Sequence, residues 1–238
     1  MNIKNRRGGF NMSNINETMK LKDILFKVPA AAGVFREIDI DFVNHGDQTL
    51  KKAHEAGNFN LENILYEVNE FAKQRIEGID VSFMDQTSII KYIERKYYDD
   101  LLDELPVLND YVEKLAKKYK KEDVEYDKVA ELFYNIYREM TVHIETEESD
   151  VYPLLLTYYE QKSSVAFEAL KPHITRLLDE HRNIVNWFKQ IRSLTNGYTP
   201  IDSNEPLNVF VLKKLEENEK NIMTLLHLEN NLLFTPFR

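Results

Sequence analysis

Four side chains in this sequence have the types and spacing to hold a metal ion: His143, Glu147, His181 and Glu229. His143 and Glu147 are four residues apart, so on a helix they share one face, a turn apart. Val129, Leu132, Ile136, Met140 and Val151 recur on the same face with the helical period. The imidazole and the carboxylate thus take places where core residues are due. A buried carboxylate without a partner is costly, and a metal ion satisfies both groups at once. The competing reading is a helix-end charge cluster with Glu147 at the edge of the core.

His181 continues another apolar stripe, with Phe167, Leu170, Ile174, Leu177, Ile184, Phe188 and Ile191. Near the end of the chain, His227 and Glu229 are two apart and cannot share a helix face. Glu229 falls in with Val211, Leu215, Ile222, Leu225 and Leu232, which leaves His227 at the rim. Two inward carboxylates and two inward imidazoles from three helices are the composition of a carboxylate-bridged dinuclear site. Glu145, Glu148, Asp150 and Glu180 are expected on a solvated face nearby, where they can accept from histidine N–H groups. His45 and His54, beside Asp41 and Asp47, read as surface histidines.

The elements that must position these groups are helical throughout. Apolar residues at helical spacing mark four long segments, about 87–120, 126–149, 163–195 and 207–233, which predict a four-helix bundle over 81–238. Pro106 lies inside the first and predicts a kink or local opening there. Residues 19–80 predict a small domain of short helices, with Pro29 opening one and Thr49 capping another. The fold class is therefore all-α. Residues 1–18 are polar and aperiodic and read as a disordered tail. Arg6-Arg7-Gly8-Gly9 has the look of a translated ribosome-binding site, which makes Met12 the expected native start.

Composition narrows the chemistry. The chain has no cysteine among its 238 residues, which removes disulfides, thiolate nucleophiles and cysteine-ligated clusters. A net charge of −9 without a basic stripe argues against nucleic-acid partners. No apolar run approaches a membrane span, and no secretory leader is present, so a soluble cytoplasmic protein is the expectation. No nucleophile or acid–base signature points to hydrolysis.

These motifs resemble the iron–sulfur cluster repair di-iron proteins, the repair-of-iron-centres family. The resemblance covers about residues 21–238. It rests on Pro29-Ala30-Ala31-Ala32-Gly33-Val34-Phe35 and Ile40-Asp41-Phe42 in the first domain. In the bundle it rests on Tyr92-Ile93, Leu105-Pro106, His143-Ile144-Glu145-Thr146-Glu147-Glu148 with Tyr152-Pro153, Asp179-Glu180-His181, and His227-Leu228-Glu229-Asn230-Asn231-Leu232-Leu233-Phe234. It implies a small N-terminal helical domain followed by a hemerythrin-like four-helix bundle. It further implies a di-iron site that meets nitrosative or oxidative stress by handling iron, nitric oxide or dioxygen. Damaged iron–sulfur proteins are the implied partners, and a homodimer is an expectation too.

Four of the family's six iron ligands carry over: His143, Glu147, His181 and Glu229. Tyr98 and Leu225 stand where the family has its other two ligand histidines, and Tyr119 replaces a further family histidine. Val43 and Asn44 replace its cysteine pair. Three outcomes stay open. The site holds two irons, with Tyr98 as a phenolate ligand and His227 swung in for the histidine missing at Leu225. It holds one ion, kept by the two histidines and one or two carboxylates, and in either case manganese or zinc are candidates beside iron. Or it is empty, in a divergent paralogue that serves as a helical sensing or protein-binding module.

Overall fold

A computed structural model describes residues 14–73, 81–120 and 125–238. The expected start at Met12 and most of the expected tail lie outside the described residues. Among those residues the regular structure is helical, apart from one isolated antiparallel bridge between Lys20 and Thr49. No helix is long and apolar enough to cross a membrane. The chain divides into two compact units, and residues 41–46 belong with the second rather than with the segment around them.

The first unit holds α1 (Leu21–Lys27), α2 (Ala31–Glu37), α3 (Leu50–Ala56) and α4 (Leu61–Lys73). Leu21, Ile24, Phe35, Leu50 and Val68 are fully buried and form its core. Thr49 caps α3 by accepting from the Lys52 N–H. Residues 14–18, expected as part of the tail, are held in place. Ile15 is buried, and its backbone N–H and C=O both pair with the Asn69 side chain on α4, at 2.9 Å each. One apolar side chain and a two-point amide bond offset the entropy of fixing this short stretch.

The second unit is the bundle. Its first arm is α5 (Gln86–Ile93) and α6 (Asp99–Lys118), joined by a π-helical turn over Glu94–Tyr98. Its second arm is α7 (Tyr126–Thr146) and α8 (Tyr152–Gln161), joined by another π turn over Glu147–Val151. The third is α9 (Ser164–Leu194). The fourth is α10 (Pro206–Leu228), which runs into a third π turn over Glu229–Leu233. α6 packs on α7 and α10, and α7 and α8 pack on α9. Their stripes of Leu, Ile, Val and Phe are almost wholly buried, each side chain worth roughly 1.5–3 kcal/mol of transfer free energy.

Local chemistry sets the helix ends. Asp85 and Ser163 cap α5 and α9, and Glu205 accepts from both Leu207 and Asn208 ahead of a first-turn Pro206. Lys162 takes a left-handed conformation, φ 52°, and so ends α8. The interruption expected at Pro106 is elsewhere: α6 runs through it, with Leu105, Leu108 and Val112 buried around it. The first arm departs from α geometry at Glu94–Tyr98 instead.

Candidate metal centre

The three π turns touch one site. Glu147 begins the second turn, Glu229 begins the third and Tyr98 ends the first. A π turn bonds residue i to i+5, which widens the helix and advances its register by one residue. The Glu147 carbonyl accepts from the Tyr152 N–H, and the Glu229 carbonyl from the Phe234 N–H at 2.8 Å. Tyr152, five residues after Glu147, thereby comes round to the same face. On a regular α-helix it would point well away.

The structure brings His143 of α7, His181 of α9, Glu147, Glu229 and Tyr98 together at full burial. His143 Nε2 lies 3.3 Å from His181 Nε2 and 3.3 Å from Glu147 Oε2. Glu229 Oε2 stands 3.3 Å from His181 Nε2 and 3.6 Å from His143 Nε2. The outer nitrogen of each ring is engaged: His143 Nδ1 with Glu180 Oε2 at 3.1 Å, and His181 Nδ1 with Asn230 Oδ1 at 2.7 Å. An Nδ1–H donated outward leaves an Nε2 lone pair directed inward. Both inward lone pairs therefore point at one spot beside two carboxylates.

His227 is placed apart from this group. It is buried, its Nδ1 accepts from the Asn231 amide at 3.0 Å, and its ring meets Phe42 edge-on at 5.7 Å. The swing expected of it would break that bond and that contact. Leu225 is fully buried, one turn before Glu229.

Segment 41–46 lies against the third π turn. Asn230 and Asn231 both donate to the Val43 carbonyl at 3.2 Å, and Arg238 donates to the carbonyls of Asn44 and Asn230. Gly46 permits this approach, because a Cβ there would come within 2.1 Å of Asn231 Oδ1. Asn230 thus links Val43 to His181.

Protonation shows how strongly the site calls for positive charge. Burial works against a charged His143, yet the Glu147 charge and the closeness of the Glu147, Glu180 and Glu229 carboxylates raise its pKa well above the usual value. Burial alone would raise Glu147, but the His143 charge and bonds from His143 and Tyr98 lower it. Burial, with the neighbouring His143 charge, pushes His181 down to about 3. Burial, with the Glu147 charge, pushes Glu229 up to about 8. The raised Glu229 and the lowered His181 both work against a charged pair between them, although their atoms lie within ion-pair distance. Burial and the two carboxylates raise both Tyr98 and Tyr152 well above the usual phenol value.

Two buried carboxylate oxygens, Glu147 Oε1 and Glu229 Oε2, have no hydrogen-bond partner. Orphaned acceptors of this kind cost about 1–3 kcal/mol each, more if charged, unless a ligand takes them. His143, His181 and Glu229 each offer one atom, all within 4.8 Å of one another. The 3.3 Å between the two Nε2 atoms is a span one ion can bridge with bonds of about 2.1 Å. Nitrogen and carboxylate oxygen donors suit divalent iron, manganese or zinc. The residues present fit a metal ion of this class.

Residues 97–236, more than half of the chain, match the family described as the hemerythrin HHE cation binding domain, and the chain belongs to that family. Within it, the chain is similar to proteins named for iron–sulfur cluster repair. It is 26% identical to the iron–sulfur cluster repair protein ScdA of Staphylococcus haemolyticus, over 93% of this chain and 98% of that one. It is 27% identical to the iron–sulfur cluster repair protein YtfE of Pectobacterium atrosepticum, over 90% of this chain and 94% of that one. A probable iron–sulfur cluster repair protein of Haemophilus influenzae is 26% identical over the same shares. The resemblance drawn from the sequence motifs agrees with these relatives.

Tyr152, Asn230 and Segment 41–46 are the site residues that sequence reasoning missed. A 3.6 period from Glu147 or Glu229 points Tyr152 and Asn230 away from the pocket. The signal available was weaker: Tyr152 stands beside an acid-rich run, and Asn230-Asn231 are polar residues in an otherwise apolar stretch.

Proposed function

We propose that this protein binds iron between His143, Glu147, His181 and Glu229 and takes part in iron–sulfur cluster repair under nitrosative or oxidative stress. One observation carries the reading: two imidazoles and two carboxylates converge at full burial with carboxylate oxygens left over. Structural stability does not call for such a cluster, since apolar residues of similar volume serve a core as well or better. The relatives' names support the repair role.

Bound iron supplies Lewis acidity, redox change and affinity for small ligands such as nitric oxide or dioxygen. The chain's own residues supply the rest. Glu180 and Asn230 hold the two imidazoles in the ligating tautomer. Tyr98 and Tyr152 orient Glu147 through hydroxyl contacts. The packed arms exclude water, which strengthens every interaction between charge and ligand. Damaged iron–sulfur proteins are the proposed partners, receiving iron or protection from this site.

The test is elemental analysis after anaerobic purification and reconstitution with ferrous iron, coupled to recovery of a nitric-oxide-damaged [4Fe–4S] enzyme. Bound iron and a faster recovery are expected. A protein that takes no iron, or that keeps manganese or zinc in preference to it, overturns the reading.

A further inference from the structure

The number of ions follows from what meets the carboxylate pair, given the iron reading above. Two imidazoles meet it, with His143 Nε2 at 3.3 Å from Glu147 and His181 Nε2 at 3.3 Å from Glu229. The same two carboxylates also meet a pair of phenols. The Tyr98 hydroxyl donates to Glu147 Oε2, lies 3.4 Å from Glu229 Oε1 and meets the Tyr152 hydroxyl. The Tyr152 hydroxyl is itself 3.4 Å from Glu147 Oε2. The two rings stack almost parallel, 4° apart, with centroids 6.0 Å from each other.

In carboxylate-bridged dinuclear sites each ion takes further protein donors, commonly a histidine, beside the shared carboxylates. The two imidazoles are such donors. The phenol hydroxyls are bonded to the carboxylates and to each other, and the buried Leu225, one turn before Glu229, has no donor atom to offer. Among the described residues, the acids and histidines close enough to share an ion are His143, His181 and Glu229, and Glu147 adjoins them. Glu229 Oε2, 3.3 Å from His181 Nε2, has no hydrogen-bond partner and is left for a cation; Glu147 Oε1 is unpartnered too, while Glu147 Oε2 meets both His143 Nε2 at 3.3 Å and the phenols.

We infer that the chain holds a single iron between His143, His181, Glu147 and Glu229, and that Tyr98 and Tyr152 hold the carboxylate pair by hydrogen bonds. Tyr98 is then a positioning residue that fixes Glu147 by donating to it. Engaged with Glu147, Glu229 and Tyr152, that hydroxyl serves here as a donor to the carboxylates and not as the phenolate ligand expected from the sequence.

The experiment is anaerobic reconstitution of the full chain with excess ferrous iron, followed by desalting, elemental analysis and electron paramagnetic resonance after oxidation. About one iron per chain is expected, with a mononuclear high-spin ferric signal accounting for all of it and no phenolate-to-iron band in the visible spectrum. Two irons per chain, or an oxidised sample silent from coupling between two ions, overturn the inference and leave the iron reading standing. No iron overturns that reading itself. Tyr98→Phe sharpens the test. It is expected to keep single-ion stoichiometry but bind about tenfold more weakly, with an altered ferric signal, because Glu147 is no longer held. A visible band present in the wild type and lost in Tyr98→Phe makes Tyr98 a ligand and overturns the inference. Should Tyr98→Phe fail to fold, Tyr152→Phe serves in its place, with the same single-ion stoichiometry expected and two irons overturning it.

Discussion

Among the described residues, two buried clusters of ionisable side chains in the bundle differ in whether the protein itself completes them. At the metal centre, four charged or chargeable groups meet with two carboxylate oxygens left without partners. In the second cluster, buried Glu219 of α10 is paired with Arg192 of α9 and accepts from the Tyr198 hydroxyl at 2.9 Å. The left-handed run Asn196, Gly197 and Tyr198 turns the chain back so that the phenol arrives there. Here a permanent guanidinium and a neutral donor complete the acid. The comparison teaches that buried charge alone is poor evidence of a ligand site. A buried acceptor that the protein itself does not complete is better evidence.

Substitutions can break this contrast, beginning with the largest effect. Glu229→Ala or His181→Ala is expected to abolish stable iron binding, leaving under about a tenth of the wild-type content by elemental analysis. Arg192→Met should leave iron content unchanged yet lower stability by about 3–5 kcal/mol in urea unfolding, because it strands a buried carboxylate. If it instead removes iron, the two clusters are not independent.

Ferrous iron at about a hundred times its dissociation constant should raise the wild type's unfolding free energy by about 2.7 kcal/mol, with no gain in Glu229→Ala. The metal-free protein should also show a pH signature. Glu229, pushed up to about 8 by burial, keeps a proton in the folded state that the unfolded chain releases near 4.5. Its contribution is fully present below about pH 4.5 and is lost as pH rises through about 8. Glu229→Gln should flatten that part of the unfolding profile. The smallest effect is expected from Asn230→Ala, which frees the His181 ring: iron affinity about tenfold weaker by competition with a chelator, at an unchanged number of ions.

Much of this was legible in the sequence because helical periodicity and burial are the same fact seen twice. The arms α6, α7, α9 and α10 follow their apolar stripes, and His143, Glu147, His181 and Glu229 were found as polar interruptions of those stripes. The arithmetic that found them also hid their neighbours. A fixed period of 3.6 excludes π turns, and such a period gives no reason to place Tyr152 or Asn230 at the site. The position of Segment 41–46 depends on Gly46 lying close to Asn231, a contact across most of the chain that no local pattern records. Placing Ile15 beside Asn69 was beyond local pattern for the same reason.

The burial of the ligands has a kinetic meaning. His143 is 1% exposed, and Glu147, His181 and Glu229 show no exposure. No ion can reach or leave them while the arms stay closed, so exchange proceeds through transient openings of the helices. Their rate is then set by how often the chain parts, not by how often metal collides with it. Such a protein would hold its iron against casual chelators for long periods. It would yield that iron quickly only to something that first pries the helices apart.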